Sequence, residues 1–144
     1  MATIRVHDGD GVLAHDLDDF LDLLAPRSLR ATWTVSPVQD GADDLFWATG
    51  EGAARLEQLI GVESGVSGTE LATLAGDARQ IVWGAFVGRL PQTGDRAWVT
   101  IRAIDSSFYE ITTEDEAVLD RIRASCRDVR PADDPWTPPG DFVR

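Results

Sequence analysis

The residues of this chain that could do chemistry begin with His7 and His15, which flank the turn Asp8-Gly9-Asp10-Gly11 and stand close to Asp16. Imidazole and carboxylate together are hard or borderline metal ligands. The spacing argues against a site, because the turn lacks the third oxygen ligand and the distal Glu of a calcium loop, and the His–Asp pairs fit no zinc pattern. No metal ligand is assigned. Nucleophiles are present as Ser106, Ser107 and Cys126, but no Gly-x-Ser-x-Gly elbow surrounds a serine. Cys126 falls on the apolar side of a predicted helix, where a thiol behaves as a small hydrophobe. Acid–base chemistry needs a carboxyl with a raised pKa in a sheltered pocket, and the Asp runs here fall in loops or on a polar helix face. The segments Gly61-Val62-Glu63-Ser64-Gly65 and Gly84-Ala85-Phe86-Val87-Gly88 lack the residue order that cradles phosphate. The sequence therefore assigns no catalytic residue and no cofactor, and the chain reads as something other than an enzyme.

Surface recognition is the remaining chemistry, and aromatic and charged residues carry it. Trp33, Trp47 and Trp83 fall on apolar faces of predicted strands and read as core. Trp98 shares its strand face with Arg96, Thr100 and Arg102, while Ala97, Val99, Ile101 and Ala103 supply the opposite, apolar face. That register predicts Trp98 on the exposed side of a sheet between two arginines, the composition of an interface hot spot. Trp98, Arg96 and Arg102 are the first candidate partner-binding surface; the competing reading has a helix or the tail covering it. A second candidate is the acidic face Asp18, Asp19 and Asp22, which is either simply solvated or docks a basic target. Trp136 and Phe142, near the C-terminus, either anchor the tail to the domain or form a short partner-binding segment.

Charge narrows the partners. Against 25 carboxylates stand 13 cations, for a net charge of −12. A surface of that sign repels phosphate, and the arginines are scattered among carboxylates, so nucleic acid and anionic membrane are excluded as expected partners. A basic protein surface, or solubility alone, fits better. Every cation is Arg, and neither Lys nor Asn occurs. Both have AT-rich codons, so the acidity also fits a GC-rich genome or a salt-adapted host. One cysteine excludes an internal disulfide, and no apolar run approaches the ~20 residues of a membrane span. The expected location is the cytoplasm.

The elements that must position these residues follow from periodicity. Thr3 to Val6 reads as a strand, and Leu17, Phe20, Leu21 and Leu24 mark a helix capped by Asp16 and stopped by Pro26. From Leu29 the period changes to two, with Leu29, Ala31, Trp33 and Val35 on one face. Leu45 to Thr49 is a second strand, leading into a helix capped by Thr49 that carries Leu56, Leu59 and Ile60. Ser67-Gly68-Thr69-Glu70 is a capping box opening a helix that Gly76 should end. Gln80 to Leu90 and Arg96 to Ile104 form a hairpin, extended by Phe108 to Thr112. Thr113-Glu114-Asp115-Glu116 is a second capping box, before a helix with Val118, Leu119, Ile122 and Cys126 on one side.

These elements predict a single α+β domain over residues 1–130, mainly antiparallel sheet with three to four helices, followed by a Pro-rich acidic tail over 131–144. Strand, cap and helix at Leu45–Leu59 repeat at a constant offset at Phe108–Ile122, a pattern consistent with two β-β-α halves. A small acidic domain with aromatic residues and no catalytic motif is similar in kind to bacterial immunity proteins and antitoxins, which cover the basic active site of an enzyme. No motif carries that likeness and it transfers no residue roles. The expected function is a cytoplasmic binding protein that occludes a basic protein partner. The alternatives are a small-ligand-binding domain or enzyme with an unrecognised pocket, and a nucleic-acid-mimicking inhibitor.

Overall fold

Strand β1 (Ala2–Val6) turns Ile4 and Val6 into the core, as the period-two reading requires. It opens a computed structural model that describes residues 2–7, 16–40 and 42–132. Helix α1 (Leu17–Leu23) buries Leu17, Phe20 and Leu21, and the N–H of its N-cap residue, Asp16, donates to the Asp19 carboxylate (2.8 Å). A further helix, α2 (Arg27–Arg30), occupies the place where a strand was expected from Leu29. Ser28 explains the difference. Its buried hydroxyl donates to the Leu21 carbonyl, and its own carbonyl accepts from Trp33 Nε1 at 2.8 Å, so the chain winds back against α1 before it extends. Leu29 is consequently exposed, and β2 (Thr32–Ser36) carries only Trp33 and Val35 inward.

The expected strand Leu45–Thr49 is broken at Phe46. A small hairpin, β3 (Val38–Asp40) with β4 (Asp43–Leu45), precedes β5 (Trp47–Gly50). Thr49 belongs to β5, and the next helix, α3 (Ala53–Glu57), has Gly52 at its N-cap position. After β6 (Val66–Ser67), Ser67 caps α4 (Gly68–Asp77) as expected, its hydroxyl accepting from Glu70 N–H at 3.1 Å, but Gly76 lies within the helix. Then come β7 (Ala78–Arg89), β8 (Val99–Ile104), β9 (Phe108–Thr113), α5 (Glu116–Ser125) and β10 (Val129–Ala132). Asp115 rather than Thr113 caps α5, accepting from Ala117 N–H at 2.9 Å. The Thr113 hydroxyl instead accepts from Asp115 N–H and donates to the Trp98 carbonyl. Strand β10 carries regular structure past residue 130, with Pro131 opposite Ile4 on the sheet edge, where a missing N–H is tolerated. The rest of the expected tail lies outside the described residues.

The result is an α+β domain built on one antiparallel sheet in the order β10-β1-β9-β8-β7-β2-β6, with β5 also paired to β7. Among the described residues there are five α-helices. The two proposed β-β-α halves are not equivalent: β8 and β9 pair with each other, whereas β2 and β5 each pair with β7. Sheet residues Ile4, Phe86, Ile101 and Ile111 meet Phe20, Leu71, Leu119 and Ile122 of the helices in one core. On the other face, Val38 and Leu45 of the hairpin pack on Trp83, Ala85 and Ile104.

Helices α2 and α4 meet backbone to backbone. Gly68 N–H donates to the Ala31 carbonyl at 2.9 Å, and a Cβ on Gly68 would stand 1.9 Å from the Ser28 carbonyl oxygen. Gly76, in the same helix, faces open space. Gly68→Ala is expected to destabilise the domain by about 1–3 kcal/mol through the forced backbone shift. Gly76→Ala should be neutral or stabilise it by up to about 1 kcal/mol. Urea unfolding midpoints of the two variants check this; equal midpoints would mean that the α2–α4 contact is not tight.

Candidate functional site

Trp98, expected on the exposed sheet face, is only 4% exposed. Strand β8 begins one residue later, so the alternation that placed Trp98 outward does not reach it, and its N–H donates to the Gly88 carbonyl at 2.8 Å. Its indole meets Trp33 edge-on at 6.4 Å, and Gly88 makes room for Trp33, since a Cβ there would stand 2.9 Å from the ring. The indole Nε1–H donates to Asp115 Oδ2 (3.0 Å), and Arg27 stacks on the ring at 5.2 Å while its Nη1 reaches the same carboxylate oxygen at 2.7 Å. Burial alone would push the Asp115 carboxyl up, but the bonds from Trp98, Ala117 N–H and Arg27, with the charge of Arg27, hold it below the usual carboxylate value.

The two arginines expected beside Trp98 have other partners. Arg96 is exposed and pairs with Glu114 at 2.5 Å. Arg102 pairs with Glu110 (3.3 Å), which Arg5 of β1 also reaches at 3.3 Å. Glu110 is fully buried at the centre of this cross-strand row. Such a row ties three strands together and leaves Arg102 committed rather than available. Cys126 is buried, and His7 lies against Phe108 with ring centroids 4.9 Å apart. Burial and the charge of Arg130 lower the His7 pKa, with Asp128 opposing. Among the described residues no group of three or more His, Cys, Asp or Glu is placed to hold a metal. Asp8, Asp10, His15, Trp136 and Phe142 lie outside them.

Trp47, expected in the core, is 59% exposed. Phe46 lies between β4 and β5 and packs edge-on to Phe86 (6.4 Å), while Trp47, the first residue of β5, turns outward. In the hairpin that precedes it in sequence, Asp43 and Asp44 are both exposed. Asp18, Asp19 and Asp22 are exposed as expected. The Asp16 carboxylate accepts from Ile81 N–H at 3.4 Å and from the Tyr109 hydroxyl, and Ile81 is the cross-strand partner of Ala48. The first turn of α1 is thereby tied to the end of the sheet that carries Trp47. Burial raises the Asp18 pKa, and repulsion from Asp19 and Asp16 raises it further.

At the other end of β7 a groove of about 510 Å³ opens between β2, β7 and the loop after α3. Thr34, Ser36, Glu63, Arg89 and Asp95 contribute its polar lining. Period-two reading puts Thr34 and Ser36 on the polar face of β2, but nothing in sequence brings Glu63 or Asp95 to them. Comparison with protein-family models, with curated proteins and with solved structures finds no match. No helix among the described residues is long and apolar enough to cross a membrane.

The folded Asp115 pKa lies below its unfolded value of 3.8, so the ionised carboxylate adds stability above that value and loses it as the pH falls through the folded pKa. Asp115→Asn keeps a capping side chain and removes the charge. The gap in urea midpoint between wild type and this variant is expected to be widest near neutral pH and to close on acidification. A gap independent of pH would show that the charge contributes nothing.

Proposed function

We propose that this chain is a binding protein that docks a basic surface of a partner protein, using the end of the sheet that carries Trp47. The exposure of Trp47 is the observation that carries the reading. It is the most exposed of the large apolar side chains among the described residues, where tryptophan ordinarily gains most by being buried. Asp43 and Asp44, in the hairpin just before it, are exposed, and α1, whose N-cap Asp16 is held by Ile81 N–H near Ala48, carries exposed Asp18 and Asp19. Aromatic anchor plus charged rim is the usual anatomy of a contact patch. A cationic partner would also relieve the repulsion that raises Asp18.

Such a protein acts by occlusion, as an immunity protein or antitoxin does, and needs no chemistry of its own. The net charge of −12 would speed encounter with a basic target and make the rate depend on salt. Trp98 and Arg102 no longer belong to the proposed surface, because one is buried and the other is held by Glu110.

The test begins with affinity capture from the native host, identification of the partner by mass spectrometry, and reconstitution from purified components. Trp47→Ala is expected to weaken the reconstituted complex by about tenfold or more. Asp43→Asn with Asp44→Asn should slow association and flatten its dependence on salt. A partner without a basic face, or a complex indifferent to Trp47, would overturn the proposal.

A further inference from the structure

The groove at the far end of β7 is a second place where this molecule is prepared to meet something. Trp83, the partner of Trp47, and Arg89, at the groove, are six residues apart on β7, about 20 Å at the rise of ~3.3 Å per residue. Arg89 thus stands well away from Trp47, although the groove runs along β2 as far as Ser36, which pairs with Ala85, two residues from Trp83.

Arg89 dominates the groove. Its Nε–H donates to the Asp95 carbonyl at 3.1 Å and its Nη1 to Thr34 Oγ1 at 3.3 Å, so its orientation is fixed before any ligand arrives. Among the described residues it has no carboxylate partner, although carboxylates outnumber cations almost two to one. A guanidinium held by two neutral acceptors keeps further N–H donors for an anion, and a planar carboxylate matches them. Glu63 and Asp95, both acidic and exposed, also line the groove, and negative charge there disfavours an inorganic anion or a plain carboxylic acid and favours an ammonium.

The wall opposite Arg89 is built rather than loose. Ile60 bridges to Val35, Gly61 takes a positive φ of 84° that turns the chain, and Val62 and Gly65 N–H groups donate back to the Leu59 and Val62 carbonyls. That succession of turns sets Glu63 on the groove and leaves Val62 half-open at its lip as an apolar contact. A volume of about 510 Å³ lies within the range of small-molecule sites.

From this arrangement we infer that the groove binds a free amino acid, its carboxylate on Arg89, its ammonium toward Glu63 and Asp95, and its side chain over Val62. Thr34 and Ser36 supply hydroxyls that can serve either charged group. The inference does not rest on the partner-docking reading, and either can fail without the other.

The experiment is calorimetric titration of the full chain with each of the common L-amino acids, with propionate as a carboxylate-only probe and ethylamine as an ammonium-only probe. At least one amino acid should bind saturably at micromolar to millimolar concentration, and both truncated probes should bind more weakly. Arg89→Gln should lower the affinity by about tenfold or more, and Trp47→Ala should leave it unchanged. Should Arg89→Gln fail to fold, Glu63→Gln in the exposed loop takes its place and should weaken the amino acid while sparing propionate. No amino acid bound at millimolar concentration, equal binding of propionate, or full affinity in the Arg89 and Glu63 variants would overturn the inference.

Discussion

Twelve residues of β7 have to serve two cores on opposite faces of one sheet, and an extra residue at Val82, the first of two register shifts against β5, makes it possible. Opposite Trp47 and Ala48 the register slips, so that β7 spends one more residue than β5 between Ile81 and Trp83. Ile81 belongs to the helix-covered core, Val82 and Trp83 to the cluster under the β3–β4 hairpin, and Phe86 to the first core again. Strict alternation would send either Ile81 or Phe86 to the wrong face. The same slip decides that Phe46 reaches Phe86 while Trp47 is left outside. A residue exposed by a feature that the core requires costs the fold nothing further, so it is available for recognition.

Charge is organised around that sheet rather than spread evenly over it. The one fully buried carboxylate, among the described residues, is Glu110, and it lies between Arg5 and Arg102 on neighbouring strands. Removing either arginine would leave a buried charge poorly compensated, which costs far more than an exposed pair contributes. Arg96–Glu114 and Arg130–Asp128 are exposed pairs of the kind that contribute about 0–1 kcal/mol. The arginines thus divide by task. Arg5 and Arg102 hold strands, Arg27 closes over Trp98 and Asp115, and Arg89 is oriented by uncharged acceptors only.

What the sequence made legible was the part governed by short-range rules. The α1 and α5 stripes, the Ser67 cap and the β7–β8–β9 meander all follow from spacing and capping chemistry within a few residues. The errors fall where a distant contact overrides the local pattern. Leu29 alternates correctly for a strand, yet Ser28 bonds back to Leu21 and winds it into a helix. Trp98 alternates correctly for an exposed face, yet the ladder starts after it and Asp115, seventeen residues on, accepts a hydrogen bond from its indole N–H. Of the expected contact residues, the helical acids Asp18, Asp19 and Asp22 stand where periodicity put them, because a helix face needs no partner to define it. Of the groove only the polar face of β2, Thr34 and Ser36, was legible, since Glu63, Arg89 and Asp95 come from separate loops and strands joined only by the sheet.

That dependence on the sheet also says how the two surfaces should behave. Both are attached to β7, whose pairing with β8, β2 and β5 involves more neighbours than any other strand's. Its residues Ala85–Gly88 are paired on both sides, by β2 and β8, and a segment held in that way is among the last parts of a domain to open locally. A ligand at the proposed groove would meet Arg89 already oriented by the Asp95 carbonyl and the Thr34 hydroxyl and would have little ordering entropy to overcome. Coupling between the ends would require β7 to possess two alternative registers, and the slip at Val82 is pinned from both faces, by Phe86 and Ile81 on one and by Trp83 and Ala85 on the other. A packed strand pinned in this way transmits no switch, so the two proposed sites would act independently rather than as an allosteric pair.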